Sequence, residues 1–406
     1  MKIAMIGQKG IPTRFGGIER HVEALAVRLG RKGHDVLVYT RAWYAAPSRR
    51  FSPGVRTIAT PTIKTKNLDA IVHTFTSTIH AIRSNVDVIH YHGVGPSLLA
   101  WIPRVFAPRI KVVATFHCVD RNHQKWGFVA RTMLGLGERA ACTFTHETIA
   151  VSKTLQSYCM NRFGRDVKYV PNGIEAPGRS GTDVLAKFGL KKDGYIIMVS
   201  RLVRHKGAHH LIEAYTRLQK RGLTRGKKLV IVGDSAFTDD YVAELKKMAA
   251  GNRDILFTGY LKGKALDQVF AGAYAVVHPS ESEGLPIAVL EAMSYGKTVL
   301  ASDIPENMEV VRDHGMSFRN RSVPDLARKL RVLLDSPALA AEKGAAAKAF
   351  VIENYHWDDV AKGVDHVYAS LAGPAHRHAA LRPRVATARS ATRRAHRHSV
   401  RQKIAA

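Results

Sequence analysis

The sequence predicts an α/β chain of two doubly wound domains, and three observations carry that prediction. Short β-branched runs alternate with stretches of helical period, in two separate series. The runs are apolar almost throughout, as strands of a parallel sheet covered on both faces must be. Between the series lies Glu175-Ala-Pro-Gly-Arg-Ser-Gly-Thr182, rich in turn formers and poor in apolar residues, which reads as a linker.

The elements follow in order. Lys2–Gly7, Asp35–Thr40, Val86–His92, Lys111–His117 and Thr148–Ser152 make the first series, which closes near Val167–Gly173. Each run is bounded by Gly, Asp or His and followed by an amphipathic stretch, the pattern of βαβ units. Tyr195–Leu202, Lys228–Asp234, Asp254–Tyr260, Ala273–Ser280 and Thr298–Asp303 make the second. Beyond Asp335-Ser-Pro337 two helices are predicted, at about Ala338–Glu353 and Trp357–Leu371. Gly373–Ala406 holds mostly Ala, Arg, His, Ser and Thr, too little apolar surface to offset its ordering entropy, so a disordered basic tail is expected. The expected extents are 1–175 and 183–335 for the domains, 338–372 for the helices and 373–406 for the tail.

At 406 residues the chain can bury a large core without disulfides. Its 46% hydrophobic and 23% charged residues exclude wholesale disorder and a collagen-like chain. Three cysteines with no CxxC exclude a disulfide scaffold and a cysteine-rich zinc site, and suit a reducing cytosol. No run of eighteen apolar residues occurs, and the apolar start is too short for a signal peptide, so a cytoplasmic protein is expected. The net charge of +29 is the unusual number. Eight Arg and one Lys after Asp365 account for part of it and leave +20 on the rest. Such a field attracts nucleotides, phosphorylated substrates, anionic lipid or nucleic acid without choosing among them.

Three segments could carry chemistry. The first strand runs into Gly7-Gln-Lys-Gly10-Ile-Pro-Thr-Arg-Phe-Gly16-Gly17, and glycines between strand and helix let amides approach an anion. The spacing is neither a dinucleotide fingerprint nor a P-loop. Ser200-Arg201-Leu-Val-Arg-His-Lys206-Gly207 also follows a strand, and two cations near a helix start could neutralise a diphosphate. Alone, it reads equally as a solvated basic turn. In Glu281-Ser-Glu283-Gly284-Leu285-Pro286-Ile287-Ala-Val-Leu-Glu291, Gly-Leu-Pro before an apolar run reads as a loop entering a helix, with Pro286 near its first position. Glu283 and Glu291 would stand about 12 Å apart if helical throughout, beyond the spacing of paired glycosidase carboxylates. They suit opposite ends of one long ligand. Apolar neighbours place Glu291 in a buried setting, where a carboxylate needs a partner. His90-Tyr-His92 looks like a metal pair, but no third ligand is suggested, and His92 is expected to face a loop.

Taken together, these segments resemble the retaining glycosyltransferases of family 4, which have the GT-B fold, over about residues 1–370. Glu283 and Glu291 match the family's E-x7-E motif, Arg201 and Lys206 its S-R-L-x3-K-G diphosphate site, and Gly16-Gly17 its glycine loop. Val151-Ser152 and Val170-Pro-Asn172-Gly173 match the segments before the inter-domain link, and Thr115-Phe-His117 the place of an active-site histidine. The resemblance implies two Rossmann-like domains facing a central cleft, the first on the acceptor side and the second binding a nucleotide-sugar donor. It implies that Glu291 binds the ribose hydroxyls, and that Glu283, with the amides of Gly284, Leu285, Pro286 and Ile287, binds the donor sugar and phosphate. Gly16-Gly17 would close over the diphosphate, and His117 would bond the sugar or acceptor region. The leaving phosphate would then deprotonate the acceptor on the same face, retaining configuration.

No Asp-x-Asp occurs anywhere, so neither a metal nor any other cofactor is expected, with the two cations in its place. One departure is that Cys118-Val-Asp120-Arg121, not a glycine, follows His117. The expected partners are a nucleotide sugar, a saccharide or lipid-linked acceptor and an anionic membrane surface, with no specific nucleic acid. Ser97–Phe106 and Gln124–Arg131 mix aromatics with cations, which suits a peripheral site at the inner face of the cell membrane. A sugar-nucleotide epimerase of the same fold remains an alternative reading, as does a lipid- or nucleic-acid-binding protein. The binding protein leaves the E-x7-E and Arg/Lys constellation unexplained.

Overall fold

The computed structural model describes residues 1–44, 50–65, 68–122, 127–178 and 181–371. Met1–Val367 form a first compact unit. The first unit holds two sheets.

The first sheet is built from β1 (Lys2–Ile6), β2 (Asp35–Arg41), β3 (Arg50–Ser52), β4 (Val55–Thr60), β5 (Val88–His92), β6 (Lys111–Phe116), β7 (Glu147–Ala150) and β8 (Lys168–Tyr169). Their order is β3-β4-β2-β1-β5-β6-β7-β8, and every pair is parallel except β3 with β4. The second sheet contains β9 (Tyr195–Val199), β10 (Lys228–Val232), β11 (Ile255–Gly259), β12 (Ala275–His278), β13 (Thr298–Ser302) and β14 (Met316–Phe318), in the order β11-β10-β9-β12-β13-β14, all parallel. Helices cover the faces, so β5 and β13 are buried along their whole length, including His90 and His92 of β5. Strand order reverses at β1/β5 and at β9/β12. Ligands of open α/β sheets bind at such reversals, beyond the carboxyl ends of the strands. All three motif segments leave strands at these ends.

Several expectations shift. Val167–Gly173 shortens to Lys168–Tyr169, because Pro171 has no amide to continue the ladder. β3, β4 and β14 were not expected. β3 and β14 have three residues each, and β4 mixes buried and exposed positions near the sheet edge. The described part of the linker has no regular structure before the helix Asp183–Lys187.

The two C-terminal helices part company. Pro337–Asn354 lies on the second half, where Gly344 meets the Gly296 backbone so closely that a Cβ would stand 2.2 Å from its carbonyl oxygen. The helix Trp357–Leu371 returns to the first half, where Arg28 bonds Asp358 at 2.6 Å and His34 lies 2.9 Å from Asp365. Among the described residues no helix is long and apolar enough to cross a membrane. The expected tail, 373–406, lies outside the described residues.

Candidate active site

After β9 the chain passes Ser200 and Arg201 into a short turn, Arg204–Lys206, closed by Gly207. Gly207 has φ +73°, and a Cβ there would stand 2.1 Å from the Pro279 carbonyl oxygen. Only glycine lets this turn press against the loop after β12. The approach joins two predicted residues: Lys206 Nζ is 2.5 Å from Glu283 Oε1. His278 Nε2, at the end of β12, lies 2.8 Å from the same oxygen. Burial pushes the Glu283 carboxyl up, but the Lys206 charge and the His278 hydrogen bond outweigh it and hold the group well below the usual carboxylate range. Glu283 is therefore an anion held between the Lys206 cation and the His278 ring. Arg201 is exposed, with no ion pair among the described residues. It lies near enough to the half-buried Cys118, along with Lys206, for both charges to favour the thiolate against burial and Asp120.

The following helix begins only at Ile287, with Pro286 as its N-cap. Glu283 thus lies in the loop, and the 12 Å expected from continuous helical rise does not apply. Pro286 carries no amide hydrogen, so Gly284, Leu285 and Ile287 are the donors available in that stretch. Glu291 is buried, as its apolar neighbours implied, and its partner is Arg20, which reaches it from the helix Gly17–Arg31 of the first half. Burial raises the Glu291 carboxyl, with Arg20 opposing.

The glycine loop reaches the same place. Gly16 caps the helix Gly17–Arg31, and a Cβ on Gly17 would lie 3.7 Å from Ile287 Cδ1. A second contact between the halves is closer still. A Cβ on Gly284 would stand 1.5 Å from the His117 carbonyl oxygen, so backbone lies on backbone there.

Behind His117 sits a histidine cluster. His92 Nδ1 is 3.4 Å from His117 Nε2, and the His21 ring meets the His117 ring edge-on with centroids 4.8 Å apart. His21 Nδ1 is 2.9 Å from Asn172 Oδ1, while Asn172 Nδ2 donates to the Leu285 carbonyl at 2.8 Å. Burial lowers His21 to about 4 and holds His92 and His117 well below the ordinary imidazole value. All three are neutral at pH 7. This corrects the reading of His90 and His92. His90 Nε2 lies 2.7 Å from Thr115 Oγ1, and His92 faces two further histidines, not a loop.

The fold therefore gathers Gly17, His117, Lys206, Glu283, Gly284 and Glu291 where the two halves meet. Arg20, His21, Asn172 and His278 belong to the same place, and their roles were not read from the sequence. Arg20 and His21 lie within the first turn and a half after the glycine pair. His278 lies within a predicted strand and ends the observed one, five residues before Glu283. Asn172 precedes a glycine near the linker. Each position was visible, but the partners of Arg20, His21 and Asn172 lie far away in sequence.

Two sheets with opposed switch points, a basic turn on one strand end and a glycine loop facing it are the architecture of a GT-B glycosyltransferase. Family models match both halves: Glycosyltransferase Family 4 over residues 15–176 and Glycosyl transferases group 1 over 183–350. The chain belongs to this glycosyltransferase family and is an enzyme of that class. It is 26% identical to a glycogen synthase of Mycobacterium tuberculosis, over 91% of this chain and 94% of that one. It is 25% identical to a GDP-mannose-dependent alpha-(1-6)-phosphatidylinositol monomannoside mannosyltransferase of the same species, over 89% and 96%. Among solved structures it resembles sucrose-phosphate synthase from Thermosynechococcus elongatus, with a TM-score of 0.78 at 21% identity over 91% and 98% of the two chains. It also resembles Anabaena HepE in complex with UDP and glucose, with a TM-score of 0.74 at 20% identity over 91% and 100%.

Proposed function

We propose that the chain transfers a sugar, with retention of configuration, from a nucleoside-diphosphate sugar to a saccharide or lipid-linked acceptor in polysaccharide or glycolipid assembly. The observation that carries this reading is the Lys206–Glu283–His278 clamp pressed, through Gly284, against His117. Arg201 and Lys206 offset the charge that grows on the departing diphosphate, a task that needs no metal or other cofactor. The amides of Gly284, Leu285 and Ile287 face the phosphate and sugar. Glu283, ionised and fixed by two donors, accepts from sugar hydroxyls, and His117 bonds the sugar from the other side. A neutral imidazole can do so as donor or acceptor. The departing phosphate takes the acceptor's proton on the face it leaves, so the protein supplies position and charge and forms no covalent intermediate.

Glu291 is assigned to the ribose hydroxyls, for which it must exchange its bond to Arg20. Ribose contacts are alike in ground and transition states, so Glu291→Ala should mainly raise the donor KM and leave kcat within a fewfold of the parent. Steady-state kinetics with saturating acceptor reads this directly.

The test of the activity is incubation with a panel of nucleotide sugars. Released nucleoside diphosphate together with a glycosylated acceptor supports transfer. An isomerised nucleotide sugar would point to an epimerase, and inertness towards the whole panel would overturn the reading.

The acceptor side suggests a membrane surface. The helix Trp101–Phe106 turns Ile102 inward but exposes Trp101, Val105 and Phe106. The helix Phe128–Thr143 exposes Phe128, Val129, Met133 and Leu136 beside Arg131 and Arg139. Phe128 is 85% exposed, too much for a core-facing residue. Gln124, Lys125 and Trp126 of the predicted patch lie outside the described residues. Aromatics among cations suit the face of an anionic bilayer at the inner side of the cell membrane. The chain truncated after Leu371 should sediment with anionic vesicles at low salt and be released as salt rises. Absence of binding at low salt would contradict it.

A further inference from the structure

We infer that His21, His92 and His117 form a binding site for a divalent transition-metal ion of the zinc class, and that the ion, when bound, inhibits transfer. Zinc, cobalt, nickel and copper favour imidazole nitrogen, whereas magnesium and calcium need oxygen ligands, which the trio does not offer.

Four observations converge on the site. One ring nitrogen from each histidine lies within 4.8 Å of the others, and the three residues are all buried. The 3.4 Å between His92 Nδ1 and His117 Nε2 matches the roughly 3.3 Å that separates two nitrogens each about 2.0–2.1 Å from a tetrahedral ion. The histidines come from three rigid elements: His92 ends β5, His117 follows β6, and His21 lies in the helix Gly17–Arg31. Finally, the hydrogen bonding fixes which nitrogen of His21 is free. Asn172 Nδ2 donates to the Leu285 carbonyl, so Asn172 Oδ1 can only accept, and His21 Nδ1 must carry the proton it receives. His21 Nε2 then holds a bare lone pair, and it has no partner among the described residues although the side chain is 1% exposed. An orphaned buried lone pair beside two further imidazoles is a metal ligand's environment, and the Asn172 bond is the outer contact that orients such a ligand.

The ion would take the His117 lone pair from the donor sugar. That consequence rests on the role given to His117 under the proposed function, whereas the binding itself does not. Bound metal and bound donor therefore exclude each other, and a chelator should leave activity unchanged or raise it.

Cobalt(II) is the probe, titrated into the full chain and followed by visible absorption. One equivalent should produce the intense d–d bands of four-coordinate cobalt, which zinc then abolishes by displacement. His21→Gln and His92→Gln should each weaken the site by about 100-fold or more. Two controls should keep the bands. One is His209→Gln, in the second cluster of potential ligands formed with His210 and Glu281. The other replaces the tail histidines His376, His378, His396 and His398 with Gln. If the site variants fail to fold, X-ray absorption on the parent loaded with one equivalent of zinc serves instead, with about three imidazole nitrogens near 2.0 Å expected. Absence of four-coordinate bands in the parent, bands that survive in both site variants, or a shell containing sulfur or fewer imidazoles would overturn the inference. Bands without inhibition of transfer by zinc would leave the site standing and count against the role of His117.

Discussion

Gly284→Ala is expected to lower kcat/KM by on the order of 10²-fold or more, the cost of a misplacement of about 1 Å in an assembled site. The new Cβ would stand 1.5 Å from the His117 carbonyl oxygen, and that atom belongs to backbone at the end of β6, not to a side chain that can swing aside. Relief must come from moving the Gly284 loop and the His117 strand end apart. Glu283 travels with the loop and pulls on its bond to Lys206, His117 stays with β6, and the constellation opens at its centre. The contact lies beyond the strand ends and leaves the ladders of both sheets paired, so circular dichroism should be close to the parent's. Near-parental turnover would mean that the two halves need not touch here.

Arg201→Ala and Lys206→Ala should each reduce kcat by on the order of 10²-fold or more, because each cation acts most strongly as charge develops on the leaving diphosphate. The two variants differ in what else they disturb. Lys206→Ala also leaves Glu283 buried with only His278 beside it, so its carboxyl should rise toward the ordinary range and some stability should be lost. Arg201 is exposed and has no ion pair among the described residues, so its removal costs the fold nothing that contacts reveal. A fall in kcat with an unchanged melting temperature makes Arg201→Ala the cleaner probe of charge stabilisation. Glu283→Ala should resemble the cation variants. An effect of Arg201→Ala confined to KM would mean that the cation binds the donor without stabilising its departure.

The sequence made the two sheets legible because buried parallel strands are nearly pure apolar runs. Tyr195–Val199 and Thr298–Ser302 could hardly be anything else. It hid β3 and β4, whose Arg50, Ser52 and Arg56 make an edge look like a loop, and it overextended the run after Val167, where Pro171 ends pairing. The site divided in the same way. Glu283, Lys206 and Gly284 were readable as motifs of fixed local spacing. The bond of Arg20 to Glu291, the bridge from Asn172 to Leu285 and the meeting of His21 with His92 and His117 were not, since each joins residues tens to hundreds of positions apart. His92 shows the limit most plainly. A buried strand-end histidine and a loop-facing one share the same local sequence, and only the helix after the glycine pair, folded across it, decides between them.

Two side-chain cations are proposed to do the work of a metal at the diphosphate, and transfer measured in excess EDTA tests this. With a donor accepted from the nucleotide-sugar panel, nucleoside diphosphate should be released at the full rate or above, with a large fall when Arg201 or Lys206 is replaced. Activity abolished by EDTA and restored by Mg²⁺ or Mn²⁺ would contradict it.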